Sequence, residues 1–551
     1  MGTNSTKSSA NKKRQTRAGV TSQPAAVDLS NRTWWIAVIL IFVVAAFLRI
    51  YDLSLVPLHH DEGVNGNFLV TLVRDGRYHY DPANYHGPTL YYIAAVFPWI
   101  IKLLFGAAAR DSYGLNTVVI RLVPALFSLG TIVLIFLLRR NLGTLATLAA
   151  AILFAISPGS VYLARYFIHE SLFVFFTIGI VVASIKFYEA RNPVYLLLAA
   201  ASAAMLFATK ETAMISAGVL FLALASTNIY LRLFGTPAAR SEESETSFVE
   251  QMGGMPFLAT FALMAIIVFV LLNLFFYSSF FTNYPQGVYD ALKTFQIWSK
   301  TGQAAHVHPP ATYIFWLISQ ESPLLFLGVI GAILVLFNPK NVFALFSAFW
   351  AFGLIAAYSL VPYKTPWLAL NFMLPLALIG GYAIQRVFEL ERGKLRLPIL
   401  MLVIAVLING YQMVDLNFIN YDNDNTYYVY VYAHTKRGTK DLVDQIDQLA
   451  KEGNEGGRTG ITIVSREYWP LPWYLRNYSR VGYFGHMTSS TEPIIIAQED
   501  QREEIESTFG SNYQLVPSHE PGGMYSLRPG VNLLLYKKQQ NPQQINPPAP
   551  N

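Results

Sequence analysis

Residues 33–50 of the chain are TWWIAVILIFVVAAFLRI, an apolar stretch in which the only charged residue is Arg49. A helix of about 20 such residues is long enough to cross the hydrocarbon core of a membrane. Further stretches of this kind occur at residues 117–138, 145–160, 171–187, 194–209, 211–231, 257–277, 313–336, 342–361, 366–386 and 396–414. The sequence therefore predicts an all-α polytopic membrane protein with about eleven spans.

The composition agrees with this class of protein. Hydrophobic residues make up 53% of the 551-residue chain and charged residues only 13%, unlike the mixture found in a soluble domain. Cysteine is absent, which excludes disulfides, a thiolate nucleophile and cysteine-ligated metals. No P-loop, GxGxxG, HExxH or GxSxG pattern occurs, so nucleotide-driven transport by this chain alone is not expected, and no nucleic-acid partner is predicted.

The basic residues predict the orientation, because Lys and Arg in short loops stay on the cytoplasmic side. The polar tail at residues 1–32, which we expect to be disordered, contains one acid and the basic residues Lys7, Lys12, Lys13, Arg14, Arg17 and Arg32. When the spans are counted alternately from a cytoplasmic N-terminus, further basic residues also fall in cytoplasmic loops. These residues are Arg139, Arg140, Lys186, Arg191, Arg232, Lys340, Arg386, Arg392, Lys394 and Arg396. We therefore expect a transmembrane domain over residues 33–418 with its N-terminus in the cytoplasm.

Residues 89–106, TLYYIAAVFPWIIKLLFG, are apolar but short, and they contain Pro98 and Lys102. If this segment crossed the membrane, every later basic loop would change sides. We therefore expect a helix that lies in or dips into the outer interface, where Tyr, Trp and Lys are common. A large outer loop then extends over residues 51–116.

An odd number of spans puts the C-terminal region outside. Within it, TKDLVDQIDQLAKE and EDQREEIESTF have helical spacing, whereas GITIV, EPIIIA and VNLLLYKK resemble short strands. The sequence thus predicts a small extracytoplasmic α/β domain over residues 419–538. Residues 539–551, rich in Pro and Gln, are expected to be a disordered tail.

The ionisable residues near span ends fall on the predicted outer side. They are His60, Asp61, Glu62, His86, Arg165, His169, Glu170, Lys210, Glu211, Glu321 and Lys364. A charge costs about 2.5–3.5 kcal/mol at mid-membrane, so such residues usually form pairs or have a function. Acids and bases on one face suit a reaction in which a carboxylate activates a nucleophile while cations receive a departing phosphate.

These residues also have structural interpretations that the sequence leaves open. Acidic residues such as Asp61 and Glu62 are common at helix N-termini. The histidines can be ordinary hydrogen-bonding groups at the interface. Lys210 and Glu211 can form a salt bridge at a span end, and Arg165, His169 and Glu170 can form a structural clamp. Glu321 can be a hydrogen-bonded carboxyl group at a helix kink. Lys364 can extend its side chain to the interface, as lysines near helix ends do.

Several motifs resemble those of membrane glycosyltransferases with the C-type (GT-C) fold, which include protein O-mannosyltransferases and the aminoarabinose transferases that modify lipid A. The motifs are LHHDEGVNGN (58–67), HGPTLYY (86–92), SPGSVYLARYFIHE (157–170), LFATKETA (206–213) and PYKTPWL (362–368). The residues of these motifs are most similar to those of a prokaryotic subgroup termed flippase-activity-associated proteins. The resemblance covers residues 33 to about 385, and WPLPWYLRNY (469–478) extends it into the C-terminal domain.

The resemblance implies a GT-C fold in a prokaryotic plasma (inner) membrane and transfer of a sugar, with inversion, from a polyprenyl-phosphate donor to an acceptor on the outer face. It implies that Asp61 is the catalytic base with Glu62 beside it, and that the donor phosphate is held by Arg165, Lys210 and Lys364. Supporting groups or metal ligands would be His60, His86, His169, Glu170, Glu211 and Glu321. His86 stands where the aminoarabinose transferases have an acid. This departure argues against carrying over their metal binding to this position, although a histidine can ligate zinc. No cofactor is implied with certainty, although a divalent metal is compatible with these residues.

A second class of function stays open, namely a non-catalytic carrier or flippase-associated factor for lipid-linked sugars. Transporters tend to bind their substrates near the middle of the membrane, on broken helices. The one-sided distribution of the charges therefore favours the enzyme. The sugar and the acceptor are not predicted.

Overall fold

The computed structural model describes residues 29–83, 86–235, 248–298 and 306–539, so most of the two predicted tails lies outside the described residues. The main helices are α1 (Asn31–Ile50), α2 (His60–Asp75), α3 (Thr89–Phe105), α4 (Thr117–Leu137), α5 (Thr144–Ile156), α6 (Pro158–Ala164), α7 (Glu170–Ala190), α8 (Pro193–Phe207), α9 (Ala213–Phe234), α10 (Met255–Tyr277), α11 (Gln286–Trp298), α12 (Thr312–Gln320), α13 (Ser322–Phe337), α14 (Val342–Leu360), α15 (Leu370–Leu390), α16 (Arg396–Val414), α17 (Gly438–Glu452) and α18 (Arg502–Phe509). The chain is thus mainly helical up to residue 414.

Eight of the described helices are long and apolar enough to cross a membrane: α1, α4, α7, α9, α10, α14, α15 and α16. Two consecutive pairs are long enough only when taken together, and they are bent by 61° between α5 and α6 and by 113° between α12 and α13. The eleventh predicted position is occupied by α8, a 15-residue helix that packs against α7 and α10. The predicted polytopic fold is confirmed, whereas the interfacial placement of α3 stays a prediction.

Helix α15 forms the centre of the bundle, where 94% of its apolar stretch is buried, mainly against α5, α13 and α14. A Cβ atom at Gly381 would overlap the carbonyl oxygen of Ala146, so the close approach of α15 to α5 requires glycine there. In contrast, only 6% of the apolar stretch of α10 is buried, as expected of a helix that faces lipid.

The C-terminal domain contains the strands β1 (Gly460–Ile463), β2 (Arg480–Tyr483), β3 (Ile494–Gln498), β4 (Tyr513–Val516), β5 (Tyr525–Arg528) and β6 (Val531–Lys538). The sheet order is β2-β1-β3-β6-β4, with β5 also paired to β6. Strand β1 is parallel to β2 and β3, while β6 is antiparallel to β3, β4 and β5. Alternate side chains of β3 and β6 enter two separate apolar clusters, one completed by α17 and the other by α18. The predicted α/β character of this region is confirmed.

Candidate functional site

Helix α2 begins at the HHDEG motif, and a reciprocal cap fixes its first turn. The backbone N–H of Asp61 donates to Nδ1 of His59 at 3.1 Å, and the backbone N–H of His59 donates to the Glu62 carboxylate at 3.0 Å. The Nε2 atom of His59 in turn donates to the carbonyl of Tyr432 at 3.1 Å. This arrangement satisfies helix N–H groups as a capping box does, and it leaves the Asp61 side chain out of the cap.

Glu62 is completely buried, and both of its carboxylate oxygens are occupied. Nε and Nη2 of Arg121 donate to the two oxygens at 2.8 and 2.6 Å, and the backbone N–H of Phe167 donates to one of them at 2.7 Å. The remaining donors of Arg121 reach the backbone carbonyls of Leu53, Val56 and Pro57. Glu62 therefore links α2 to Arg121 of α4 and to the backbone at Phe167.

Asp61 is the accessible carboxylate of this pair, with 44% of its side chain exposed. Its nearest ionisable neighbour is Nδ1 of His59 at 3.9 Å, and this nitrogen already accepts a hydrogen bond. Among the described residues, no group donates a hydrogen bond to the Asp61 carboxylate. The geometry leaves this carboxylate free to accept a proton from a bound molecule.

His60 lies between Asp61 and the C-terminal domain, with its ring centroid 6.0 Å from that of Trp469. Burial lowers the pKa of His60, more than the neighbouring charge of Asp61 raises it. Glu467 and Arg528, which form an ion pair in the C-terminal domain, also act on His60 through their charges. The C-terminal domain therefore forms one wall of the site around Asp61.

The C-terminal domain contacts α2 through positions that require glycine. A Cβ atom at Gly63 would lie 2.5 Å from Cβ of Pro470, and one at Gly66 would lie 2.5 Å from the Trp473 ring. The hydroxyl of Tyr474 accepts a hydrogen bond from the backbone N–H of Leu58 at 2.8 Å. The glycines of the HHDEGVNG motif thus allow the domain to pack directly on the helix that contains Asp61.

Two further acid–base pairs join Lys210 to Glu170 and His86 to Glu211. Lys210 donates to Glu170 at 2.5 Å, and both side chains are buried. His86 and Glu211 are 2.9 Å apart. Burial raises the pKa of Glu211, but the charges of His86 and Lys210 outweigh it and hold the pKa below its usual range.

His169 is buried beside His86, with the ring centroids 5.2 Å apart. Its Nε2 donates to the carbonyl of Gly87 at 3.1 Å, while Nδ1 is buried and has no hydrogen-bond partner among the described residues. Burial and the charges of His86 and Lys210 lower its pKa well below the usual value, so the ring is neutral. Among residues 29–83, 86–235, 248–298 and 306–539, no three His, Asp or Glu side chains form a group that could hold a metal ion.

The loop that precedes α15 brings Tyr363 and Lys364 to the site. Burial and the charges of Asp61, Glu170 and Glu211 raise the pKa of the Tyr363 hydroxyl. The ring centroid of Trp367, in the same loop, lies 6.2 Å from that of His59, so the loop reaches the start of α2. Neither composition nor charge distinguishes Tyr363 in the sequence.

Lys364 is 1% exposed, and its ammonium donates to the backbone carbonyls of His308 at 3.3 Å and Val361 at 2.5 Å. In the part of the chain that the structure describes, no carboxylate pairs with it. Burial lowers its pKa. Of the three predicted phosphate-binding cations, Lys210 pairs with an acid, whereas Lys364 and Arg165 donate to backbone carbonyls at the ends of α14 and α1.

Arg165 and Glu321 stand apart from this group. Arg165 donates to the carbonyls of Leu48, Tyr51 and Asp52 and thus caps the end of α1. Glu321 is completely buried at the break between α12 and α13. Sequence reasoning also overlooked Arg121, although an arginine inside the apolar run of α4 was a signal that it has a buried partner.

The comparisons with known proteins agree with this architecture. The family model described as dolichyl-phosphate-mannose-protein mannosyltransferase matches residues 94–239. No curated protein sequence matches the chain.

Among solved structures, ArnT from Cupriavidus metallidurans bound to undecaprenyl phosphate is similar with a TM-score of 0.63 and 12% identity, covering 92% of this chain and 98% of that one. The apo oligosaccharyltransferase of Archaeoglobus fulgidus is similar with a TM-score of 0.51 and 14% identity, covering 82% of this chain and 64% of that one. The fold is therefore that of the GT-C membrane glycosyltransferases, as the motifs predicted.

Proposed function

We propose that this protein is a glycosyltransferase of a prokaryotic plasma membrane that moves a sugar from a polyprenyl-phosphate donor to an acceptor on the outer face. The observation that carries the proposal is the accessible carboxylate of Asp61, which accepts no hydrogen bond from the described residues. The loop that contains the buried cation Lys364 reaches the start of α2, where the ring centroid of Trp367 lies 6.2 Å from that of His59, and within the described residues Lys364 has no carboxylate partner. A base and a cation on neighbouring segments suit the transfer of a group away from a phosphate.

In this proposal the Asp61 carboxylate takes the proton of an acceptor hydroxyl or amine as that group attacks the anomeric carbon. The bond from the anomeric carbon to the phosphate oxygen breaks, and the polyprenyl phosphate leaves with the bonding electrons. A single displacement of this kind inverts the anomeric configuration. The acceptor remains unspecified.

Lys364 is the residue to which we assign the departing phosphate. Its ammonium uses two donors on backbone carbonyls and retains a third. Because the side chain is 1% exposed, the loop around His308 must move aside before a lipid phosphate reaches it. Lys210, paired with Glu170, and Arg165, at the end of α1, position the walls of the site.

The similar structures support the choice of donor class. ArnT is described in complex with undecaprenyl phosphate, and an archaeal oligosaccharyltransferase, AglB, in complex with a dolichol phosphate. AglB has a TM-score of 0.50 and 13% identity, covering 93% of this chain and 75% of that one. A phosphate on a long isoprenoid would keep its chain in the membrane and its charge at the interface.

Carriage of lipid-linked sugars is the second candidate, and the two bent pairs α5–α6 and α12–α13 favour it, since transporters form binding sites on discontinuous helices. One preparation tests both functions. Purified protein in vesicles would be given synthetic undecaprenyl-phosphate and dolichyl-phosphate monosaccharides together with a cell-envelope extract as acceptor.

An enzyme releases polyprenyl phosphate and yields a product of inverted anomeric configuration, which mass spectrometry and NMR detect. Movement of intact donor between leaflets without any release would support the carrier and contradict the transferase.

A further inference from the structure

Two helix breaks meet inside the bundle, and Glu321 connects them. Glu321 lies at the 113° break between α12 and α13, and Ser157 lies at the 61° break between α5 and α6. One carboxylate oxygen of Glu321, Oε1, accepts hydrogen bonds from the hydroxyl of Ser157 at 2.9 Å and from the backbone N–H of Gly159 at 2.8 Å. The side chain is completely buried.

The second oxygen, Oε2, is buried and has no hydrogen-bond partner among the described residues. The Tyr430 hydroxyl lies close by, 2.8 Å from the position of a Cβ atom on Gly159, and it also lacks a partner in this part of the chain. The charge of Glu321 acts on this hydroxyl. Gln320, at the same break, has a buried amide, and neither of its polar atoms has a partner among the residues described.

A buried carboxyl group is either protonated or, when ionised, paired with a positive charge, because an isolated charge is costly in a medium of low polarity. Within the described residues, no Lys, Arg or His forms an ion pair with Glu321. The guanidinium of Arg49 donates instead to the carbonyl of Ala155 and the hydroxyl of Ser160, at 2.9 Å each.

We propose that Glu321 and Tyr430 form a buried binding site for a monovalent cation such as Na⁺. Carboxylate, hydroxyl and amide oxygens are the ligands that hard cations prefer. A single positive charge neutralises Glu321, whereas a divalent ion would leave one charge in excess. Unwound segments of broken membrane helices are suited to such an ion, because they free backbone carbonyls. This site uses none of the residues assigned to the one around Asp61.

Thermal unfolding of the purified protein in detergent tests the site, with NaCl compared to choline chloride at constant ionic strength. An ion that binds only the folded protein raises the Tm in a saturable manner. We expect a rise of about 2 °C or more for the wild type. Glu321→Gln keeps an acceptor for Ser157 and Gly159 but removes the charge, so its Tm should not respond to Na⁺.

Glu452→Gln, an exposed substitution on α17, is the matched control and should retain the full response. Tyr430→Phe removes only a hydroxyl and should raise the Na⁺ concentration at half-response several-fold. If Glu321→Gln does not fold, the response of Tyr430→Phe to Na⁺ tests the proposed site. A wild-type Tm that is equal in NaCl and choline chloride would overturn the proposal, as would an undiminished response in Glu321→Gln or Tyr430→Phe.

Discussion

The carboxylate of Glu62 receives two hydrogen bonds from the guanidinium of Arg121, at 2.8 and 2.6 Å, in a position closed to solvent. The next residue towards the N-terminus, Asp61, has 44% of its side chain exposed. Successive residues of a helix point about 100° apart. The two adjacent acids therefore differ in position, with Glu62 buried and fixing the start of α2 and Asp61 accessible to solvent.

Glu62→Gln should reduce the stability of the fold. The substitution leaves Arg121 buried without its charged partner, and removing one member of a buried pair costs about 3–5 kcal/mol. We expect a lower Tm in detergent and a lower yield of folded protein. A variant with the Tm of the wild type and no transferase activity would instead indicate that Glu62 takes part in the chemistry.

Gly66→Ala should weaken the contact between α2 and the C-terminal domain. The added methyl group would lie 2.5 Å from the Trp473 ring, and overpacking of this kind costs about 1–3 kcal/mol. Gly218→Ala in α9 is the control, since no atom lies within 4 Å of its Cβ position. Thermal unfolding should show a lower Tm for Gly66→Ala alone, and equal Tm values for both variants would refute this close packing.

Glu211 should stabilise the protein in a pH-dependent manner. Its pKa in the folded state is held below the usual value, so its contribution is complete above the unfolded value of about 4.3 and is lost as the pH falls through the folded value. Glu211→Gln should therefore lower the Tm at pH 7, with a difference from the wild type that shrinks at acid pH. A difference that is constant from pH 7 to pH 3 would contradict this prediction.

Lys364→Gln should reduce affinity for the lipid phosphate. A hydrogen bond to a charged group contributes about 1.5–3 kcal/mol, which corresponds to a roughly 10- to 150-fold increase in the Kd for undecaprenyl phosphate. Because burial lowers the pKa of Lys364, affinity in the wild type should decline as the pH rises, beginning below the range of an ordinary lysine. Lys340→Gln, an exposed control, should bind like the wild type. Equal binding by both variants would remove Lys364 from the phosphate site.

The sequence predicted the fold well because the spans depend on local apolar runs. It did not predict the partners of the charges, since these are distant in the chain. Arg121 and Glu62 are 59 residues apart, and the Tyr432 carbonyl reaches His59 from 373 residues away. Asp61 and Glu62 carry the same charged group at adjacent positions, and the sequence does not show that one is exposed and the other buried. The strands β2, β4 and β5 were overlooked because they lack the continuous apolar run that identified the equally short β1.

The most direct test is the transferase assay with Asp61→Asn, using Asp75→Asn near the other end of α2 as the control. Because Asp61 is accessible and accepts no hydrogen bond from the described residues, the amide should preserve the Tm and the binding of undecaprenyl phosphate. Loss of general-base catalysis is expected to reduce kcat by about 10²–10⁴-fold. The proposed mechanism predicts this loss in Asp61→Asn and full activity in Asp75→Asn. Transfer by Asp61→Asn at the wild-type rate would contradict it.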